Sequence, residues 1–276
     1  MIRQLFFACA SLLLSIHAQA QQRISLPFSS FYDEDAWLSM GLQYNYVNSS
    51  YLIGLQDNWA SMGSTAVPEN NELYIGNFAS ITSLAAHGMS VGIPIEVRFS
   101  DNLSSTFAPS FRFINNSGIQ YRDTLTNSQP VLRNMRHVSA NNAGSNFNAF
   151  EFPLNIRFRS DEKMLRNKFN RYRGYVTGGL RYTRWIDLVG EYREWMASPA
   201  ENRPQPLVMK PGYLSWEAGL GVEIFFPFFR VSPEIKFIQS FGDVLDRNHA
   251  FASNNAFMAP LGNTKLRNIQ FSLIFQ

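Results

Sequence analysis

The chain has 276 residues, and its 24 Lys and Arg residues against 21 Asp and Glu give a formal net charge of +3. This near balance supplies no electrostatic case for binding nucleic acid. The single cysteine, Cys9, excludes an intrachain disulfide and a metal site built from several thiolates.

The N-terminus has the pattern of a secretory signal peptide. Arg3 precedes an apolar run over 5–16, and Ala18-Gln19-Ala20 is a small-x-small cleavage site. We therefore predict that 1–20 is a signal peptide removed on export, Cys9 included, and that 21–276 is one domain. Beyond the signal peptide, no run approaches the roughly 20 apolar residues that a membrane helix needs.

Segments with strictly alternating apolar and polar residues recur along the rest of the chain. Such a period of two is typical of a β-strand, since successive side chains point to opposite faces. For one strand alone, a soluble protein with its apolar face on a core is the ordinary interpretation. The predicted strands are 37–47, 87–99, 104–114, 150–160, 173–186, 213–226, 228–240 and 265–275.

The connections between the predicted strands alternate between long ones of about 24 to 39 residues and short ones of about 1 to 12. Transmembrane barrels have this alternation, with long extracellular loops and short periplasmic turns. The aromatic content of 14 % is also typical of an exported barrel. The sequence therefore predicts an all-β fold, an eight-stranded antiparallel transmembrane β-barrel in the cell outer membrane, closed so that no backbone group is unpaired in lipid.

In such a barrel the apolar face meets lipid, and the charged face points into a narrow lumen filled by side chains. Both signs of charge are present on this face, so we predict a structural network of buried ion pairs, because an unpaired charge there is very costly. The predicted lumen residues are Glu96, Arg98, Arg112, Glu151, Arg157, Arg159, Arg181, Glu217, Glu223, Arg230, Glu234 and Lys236.

Aromatic residues and prolines within the predicted strands lead to two further expectations. Four aromatics near strand ends are predicted to lie at the membrane interfaces. They are Tyr44, Tyr46, Trp185 and Trp216. Four prolines indicate bulges, because proline cannot donate a hydrogen bond to the ladder. They are Pro94, Pro109, Pro153 and Pro233.

Motifs for catalysis or cofactor binding are weak. There is no Walker loop, dinucleotide fingerprint or HExxH motif, so we predict no cofactor, no metal site and no enzyme. One alternative is an enzyme, since His137, Ser139 and the downstream Glu151 loosely resemble the His-x-Ser and acid of barrel lipid A deacylases. Against it, that site must face lipid, whereas Glu151 has the same parity as the inward Arg157. Another alternative is a small structural or porin-like barrel, which a packed lumen disfavours.

Several segments resemble the PorT family of outer-membrane barrels. They are FEFPLNIRFRS, RGYVTGGLRYTRWIDL, YLSWEAGLGVEIFFPFFRVSPEIKFIQSFGDVL, KLRNIQFSLIFQ and the earlier WLSMGLQYNYVNSSYLI. The resemblance implies a barrel of Bacteroidota bacteria tied to type IX protein secretion and gliding motility. It implies an accessory role, with other envelope or secretion-system proteins and outer-membrane lipid as partners. The family has no catalytic motif to assign to residues of this chain.

Overall fold

The computed structural model describes most of the chain after the predicted signal peptide, which itself lies outside the described residues. The described residues are 24–28, 33, 36–63, 76–115, 117–124, 130–135, 146–164, 171–186, 188–197, 205–252 and 255–276. Within these ranges, no helix is long and apolar enough to cross a membrane.

The described residues are predominantly β-strand, which confirms the prediction of an all-β fold. The helical elements among them are a 3-10 helix, Trp59–Ser61, and helix α1, Leu188–Ala197. The strands are β1 Ile24–Ser25, β2 Leu38–Met40, β3 Leu42–Leu55, β4 Phe78–Leu84, β5 Ala86–Gly92, β6 Ile95–Arg98, β7 Leu103–Phe107, β8 Ser110–Asn115, β9 Gly118–Asp123, β10 Val131–Arg133, β11 Asn146–Arg159, β12 Lys163–Met164, β13 Arg171–Trp185, β14 Gly212–Phe226, β15 Phe229–Ser240 and β16 Leu261–Phe275.

The main sheet contains thirteen of these strands, and its pairing leads back to its starting point. From β3 the antiparallel ladder runs through β16, β15, β14 and β13 to β11. β11 then pairs with both β8 and β7, which pair with β5 and β6 respectively. β5 pairs with β3, and β6 pairs with β2, which lies directly before β3 in the chain. The strands therefore form a ring, whose interior is called the lumen below.

Three of the predicted strands are each divided into two, as β2 and β3, β5 and β6, and β7 and β8. Pro94 and Pro109 lie at two of these interruptions, because proline has no N–H for the ladder. The carbonyl groups of both still accept: Gly41 N donates to Pro94 O at 3.0 Å, and Ile93 N donates to Pro109 O at 3.0 Å. The ring thus continues across the interruptions.

The other two prolines lie inside uninterrupted strands. Pro153 lies opposite Arg181, and Pro233 lies opposite Leu273, inside ladders that show no register shift. The register is also unchanged across the interruptions at Pro94 and Pro109, so the prediction of a bulge is wrong at all four prolines. Pro153 O accepts a hydrogen bond from Ala108 N at 3.2 Å, which retains a link between β11 and the interrupted neighbouring strand.

The described parts of the long connections form a cap that alternation did not predict. β4, β9 and β10 form a separate three-stranded sheet, and α1 lies in the connection between β13 and β14. These elements pack with the loop-side ends of the ring strands around one apolar core. Trp185 belongs to this core, at 4 % exposure, so its predicted interfacial position is wrong. The reason is its parity, since Trp185 lies on the same face of β13 as the inward Arg181.

Candidate functional site in the lumen

The two faces of β11 have the opposite arrangement to a strand of a soluble protein, with apolar side chains outside and charged ones inside, and this arrangement recurs round the ring. The outward Phe150, Leu154 and Phe158 are 46 %, 56 % and 57 % exposed, whereas the inward Glu151 and Arg157 are buried. Soluble proteins place large apolar side chains inside and rarely bury charges unless these are paired. The ring therefore has an apolar exterior and a charged interior.

Eleven of the twelve predicted lumen residues are buried, and Arg98 is partly exposed near the short-turn end of the ring. One buried arginine of the lumen, Arg173, was missed by the sequence prediction. It lies on β13 with the same parity as Arg181, so extending the alternation of that strand by two steps beyond Tyr175 finds it. Its direct partner across the ladder is the inward Glu223.

Glu223 is the centre of the ion pairs in the short-turn half of the lumen. Its Oε1 lies 3.3 Å from Arg157 Nη1, 3.0 Å from Arg159 Nε and 3.4 Å from Arg230 Nη1. Its Oε2 accepts a hydrogen bond from Arg173 Nε. Four guanidinium groups from three strands therefore converge on one buried carboxylate.

Glu96 shares three of these arginines from the opposite side. Its Oε2 lies 3.3 Å from Arg157 Nη1 and 2.8 Å from Arg230 Nη2, and its Oε1 pairs with Arg159 Nη2. Because β6 carries Glu96 and β14 carries Glu223, these arginines link strands that are far apart in the ring. The short-turn half is thus tied across its width.

Arg157 is also held by an aromatic ring and a third carboxylate. Its guanidinium carbon lies 4.2 Å from the centre of the Tyr175 ring, a cation–π contact. The Tyr175 hydroxyl donates to Glu234 Oε2 at 3.0 Å, and Arg157 Nη2 lies 3.5 Å from the same oxygen. Gly221 lies directly opposite Tyr175, and a Cβ there would overlap the ring. Glycine at this position therefore makes the space for the ring.

The other half of the lumen, toward the long loops, has a second set of ion pairs. Glu151 accepts from Arg112 Nη1 and from Arg181 Nη1, each at 2.8 Å. Arg181 Nε also donates to Glu217 Oε2 at 2.5 Å. Lys236 Nζ lies 3.1 Å from Glu217 Oε1 and 3.0 Å from Glu234 Oε1, so it links the two halves.

The apolar core of the cap adjoins the long-loop end of the ring, and buried tyrosines hold it together. Tyr121 donates its hydroxyl to Phe257 O at 2.7 Å. The Tyr192 hydroxyl donates to Leu207 O at 3.3 Å and accepts from Met209 N at 3.0 Å. Burial raises the pKa of both hydroxyls, so both remain protonated at neutral pH. A cavity of about 300 Å³ lies beside α1, lined in part by Tyr192 and Met209.

Of the three residues of the enzyme alternative, the structure describes only Glu151. His137 and Ser139 lie outside the described residues. Glu151 faces the lumen, fully buried in ion pairs with Arg112 and Arg181, and not the outer surface that a deacylase needs. In the same described ranges, no group of His, Cys, Asp and Glu side chains could hold a metal ion.

Comparisons with known proteins give structural matches alone. No family model matches the sequence, and no curated protein matches it. The outer membrane protein OprG from Pseudomonas aeruginosa matches with a TM-score of 0.38 and 9 % identity, over 85 % of this chain and 94 % of that chain. Ail, the attachment invasion locus protein of Yersinia pestis, has a TM-score of 0.28 and 9 % identity, over 86 % and 96 %. The N-terminal β-barrel domain of Pseudomonas aeruginosa OprF has a TM-score of 0.25 and 8 % identity, over 84 % and 96 %.

Proposed function

We propose that the chain is an eight-stranded β-barrel of the cell outer membrane, acting as a non-enzymatic accessory component of the type IX protein secretion system. The count of eight takes each divided pair, β2 with β3, β5 with β6 and β7 with β8, as one position in the ring. The five undivided strands β11, β13, β14, β15 and β16 complete it.

The height of the apolar exterior supports a membrane position. On β11 the outward residues are apolar from Phe150 to Phe158, between the polar Asn148 and Ser160. These eight residue steps of about 3.3 Å give about 26 Å along the strand, and a tilt of about 40° reduces this to about 20 Å. Outer-membrane barrels have an apolar band of about 25 Å, which is close to this height.

The observation that carries the function is the filled lumen. Paired side chains occupy the short-turn half, and a cavity near its mouth, lined in part by Arg98, Arg230 and Gln276, measures about 10 Å³. Such a space holds about one water molecule. A barrel of this kind does not work by conducting solutes, so its loops and turns do the work by contacting other envelope proteins. The resemblance to the PorT family supplies the link to type IX secretion and gliding motility.

The membrane position is tested by fractionation. We expect the mature protein to sediment with outer membranes, to resist washing with high salt and to migrate faster on a denaturing gel before boiling than after it. The reason is that a closed ladder without free edges resists detergent until it is heated. Release by high salt, together with one gel mobility under both conditions, would contradict the membrane barrel.

The secretion role is tested in a deletion strain. We expect type IX cargo to accumulate in the periplasm and cargo-dependent surface motility to be lost, as read from a culture-supernatant proteome. A plasmid carrying the double variant His137→Ala, Ser139→Ala should restore export fully, because the proposal gives these residues no catalytic role. Normal export in the deletion strain, with an altered acyl pattern in lipid A mass spectra that the double variant fails to restore, would favour the deacylase.

A further inference from the structure

The buried charges of the lumen do not balance within the described residues. Seven buried cations face five buried carboxylates there. The cations are Arg112, Arg157, Arg159, Arg173, Arg181, Arg230 and Lys236, and the carboxylates are Glu96, Glu151, Glu217, Glu223 and Glu234. Uncompensated charge in a water-poor interior is costly, so an excess of cations among the described residues favours an added anion.

Four of these arginines retain a buried donor without a hydrogen-bond partner in the described part of the chain, and in two of them, Arg159 and Arg173, that donor is a terminal nitrogen. Arg159 uses Nε and Nη2 for Glu223 and Glu96, and its Nη1 is unpaired. Arg173 uses Nε for Glu223, and its Nη2 is unpaired. The two residues are 5 % and 4 % exposed, so solvent does not readily satisfy these groups. An unsatisfied buried donor is expensive, and more so on a charged group.

The two guanidinium groups lie beside the same carboxylate, close to the short-turn end of the lumen. Both Nε atoms contact the carboxylate of Glu223, so the two guanidinium groups flank one side chain. Arg173 Nη1 lies 3.8 Å from Glu162, which is 37 % exposed in the turn after β11. Arg173 is therefore separated from solvent at the short-turn side of the ring by one side chain.

We propose that the lumen binds a small monovalent anion of the halide class, such as chloride, between Arg159 and Arg173. Oxyanions such as phosphate are best held by the two-pronged face of a guanidinium group. Here both arginines already direct Nε and a second nitrogen at carboxylates, and each offers one free terminal nitrogen. Two single donors suit a compact spherical anion, which also offsets part of the excess positive charge. This site depends on the buried cluster and not on the secretion role.

The test uses the folded full-length mature protein in neutral detergent. Chloride is titrated against methanesulfonate at constant ionic strength. The thermal unfolding midpoint is measured from the temperature at which the fast-migrating gel form is lost. We expect the unfolding midpoint to rise with chloride concentration and then to saturate. Chloride at 100 times its Kd should lower the unfolding equilibrium constant about 100-fold. Arg173→Gln should abolish the chloride-specific rise. Arg171→Gln, on the same strand but exposed beside Glu162, should leave it intact.

Crystals soaked in bromide give an independent readout in the unmodified protein. An anomalous peak within hydrogen-bond reach of Arg159 and Arg173 is expected. Equal effects of chloride and methanesulfonate would show ionic screening alone and would overturn the site, as would a saturable rise that survives in Arg173→Gln. If that variant does not fold, the bromide map decides, and the absence of a peak beside these two arginines overturns the proposal.

Discussion

Replacement of Arg157 by glutamate is expected to prevent most of the protein from folding. Arg157 lies within 3.5 Å of carboxylate oxygens of Glu96, Glu223 and Glu234, and its own side chain is 3 % exposed. Arg157→Glu would remove these attractions and place a fourth carboxylate among the three. Breaking one buried ion pair costs about 3–5 kcal/mol, against a total stability of about 5–15 kcal/mol for a typical domain. The fraction of the unboiled sample that migrates as the fast form measures the loss.

The neighbouring residue gives the matched control for this charge reversal. Phe158 is 57 % exposed on the outer face of β11, and Phe158→Leu keeps an apolar side chain there. We expect its fast-migrating fraction to equal that of the unmodified protein. If both variants fold equally well, water screens the charged face, and the conclusion that the ion pairs are buried away from water is wrong.

Replacement of Gly179 by alanine is expected to have the second large effect. Gly179 lies opposite Asn155 in the ladder between β13 and β11. A Cβ there would overlap Leu154 O and would lie 2.5 Å from Asn155 Oδ1 and 2.7 Å from Asn155 Cα. Two of these atoms belong to the backbone, so a rotamer change cannot relieve the contact, and β11 must move away from β13. Overpacking of this kind costs about 1–3 kcal/mol, and we expect the upper end because the ladder itself shifts.

Gly178 supplies a control one residue away on the same strand. A Cβ at Gly178 meets its nearest atom, Glu217 O, at 3.6 Å, which is ordinary contact. Gly178→Ala should therefore be neutral or stabilising by about 0.4–1 kcal/mol, since alanine restricts the unfolded chain more than glycine does. The denaturant midpoints of the two variants should differ clearly. Similar midpoints would show that β11 and β13 are not packed as closely as the structure has them.

The assignment of side chains to the two faces of each strand could be made from the sequence. Successive side chains alternate strictly, so one charged residue such as Arg157 assigns every second residue of β11 to the lumen. The same rule assigns Arg173 and Trp185 to the inner face of β13. The sequence prediction did not apply the rule to these two residues. Its omission of Arg173 and its interfacial position for Trp185 came from stopping the alternation short at the ends of β13.

The cap could not be predicted in the same way. Its segments are short and irregular, and residues such as Tyr121 and Phe257 meet only because the ends of the ring strands bring distant connections together. Neither segment has a period that separates a buried strand from an exposed loop. The division of three predicted strands is a similar case, because Pro109 interrupts its strand whereas Pro153 does not. Pro153 stays within β11 because the ladder with β13 continues on its other side, so the difference depends on the neighbouring strands and not on the proline itself.

By itself, the sequence determined an all-β chain whose charged side chains share one face, because a period of two is a local property of the backbone. Only the tertiary structure decided which charges meet. Glu223 and Arg157 are 66 residues apart in the chain, and Arg157 and Glu234 are 77 apart. Their contact depends on the register of three consecutive ladders, from β11 through β13 and β14 to β15, and on the return of the pairing through β8 and β5 to β3. A shift of one residue in any ladder would turn that strand's charges outward, so the register is selected by the pairs that the whole ring forms.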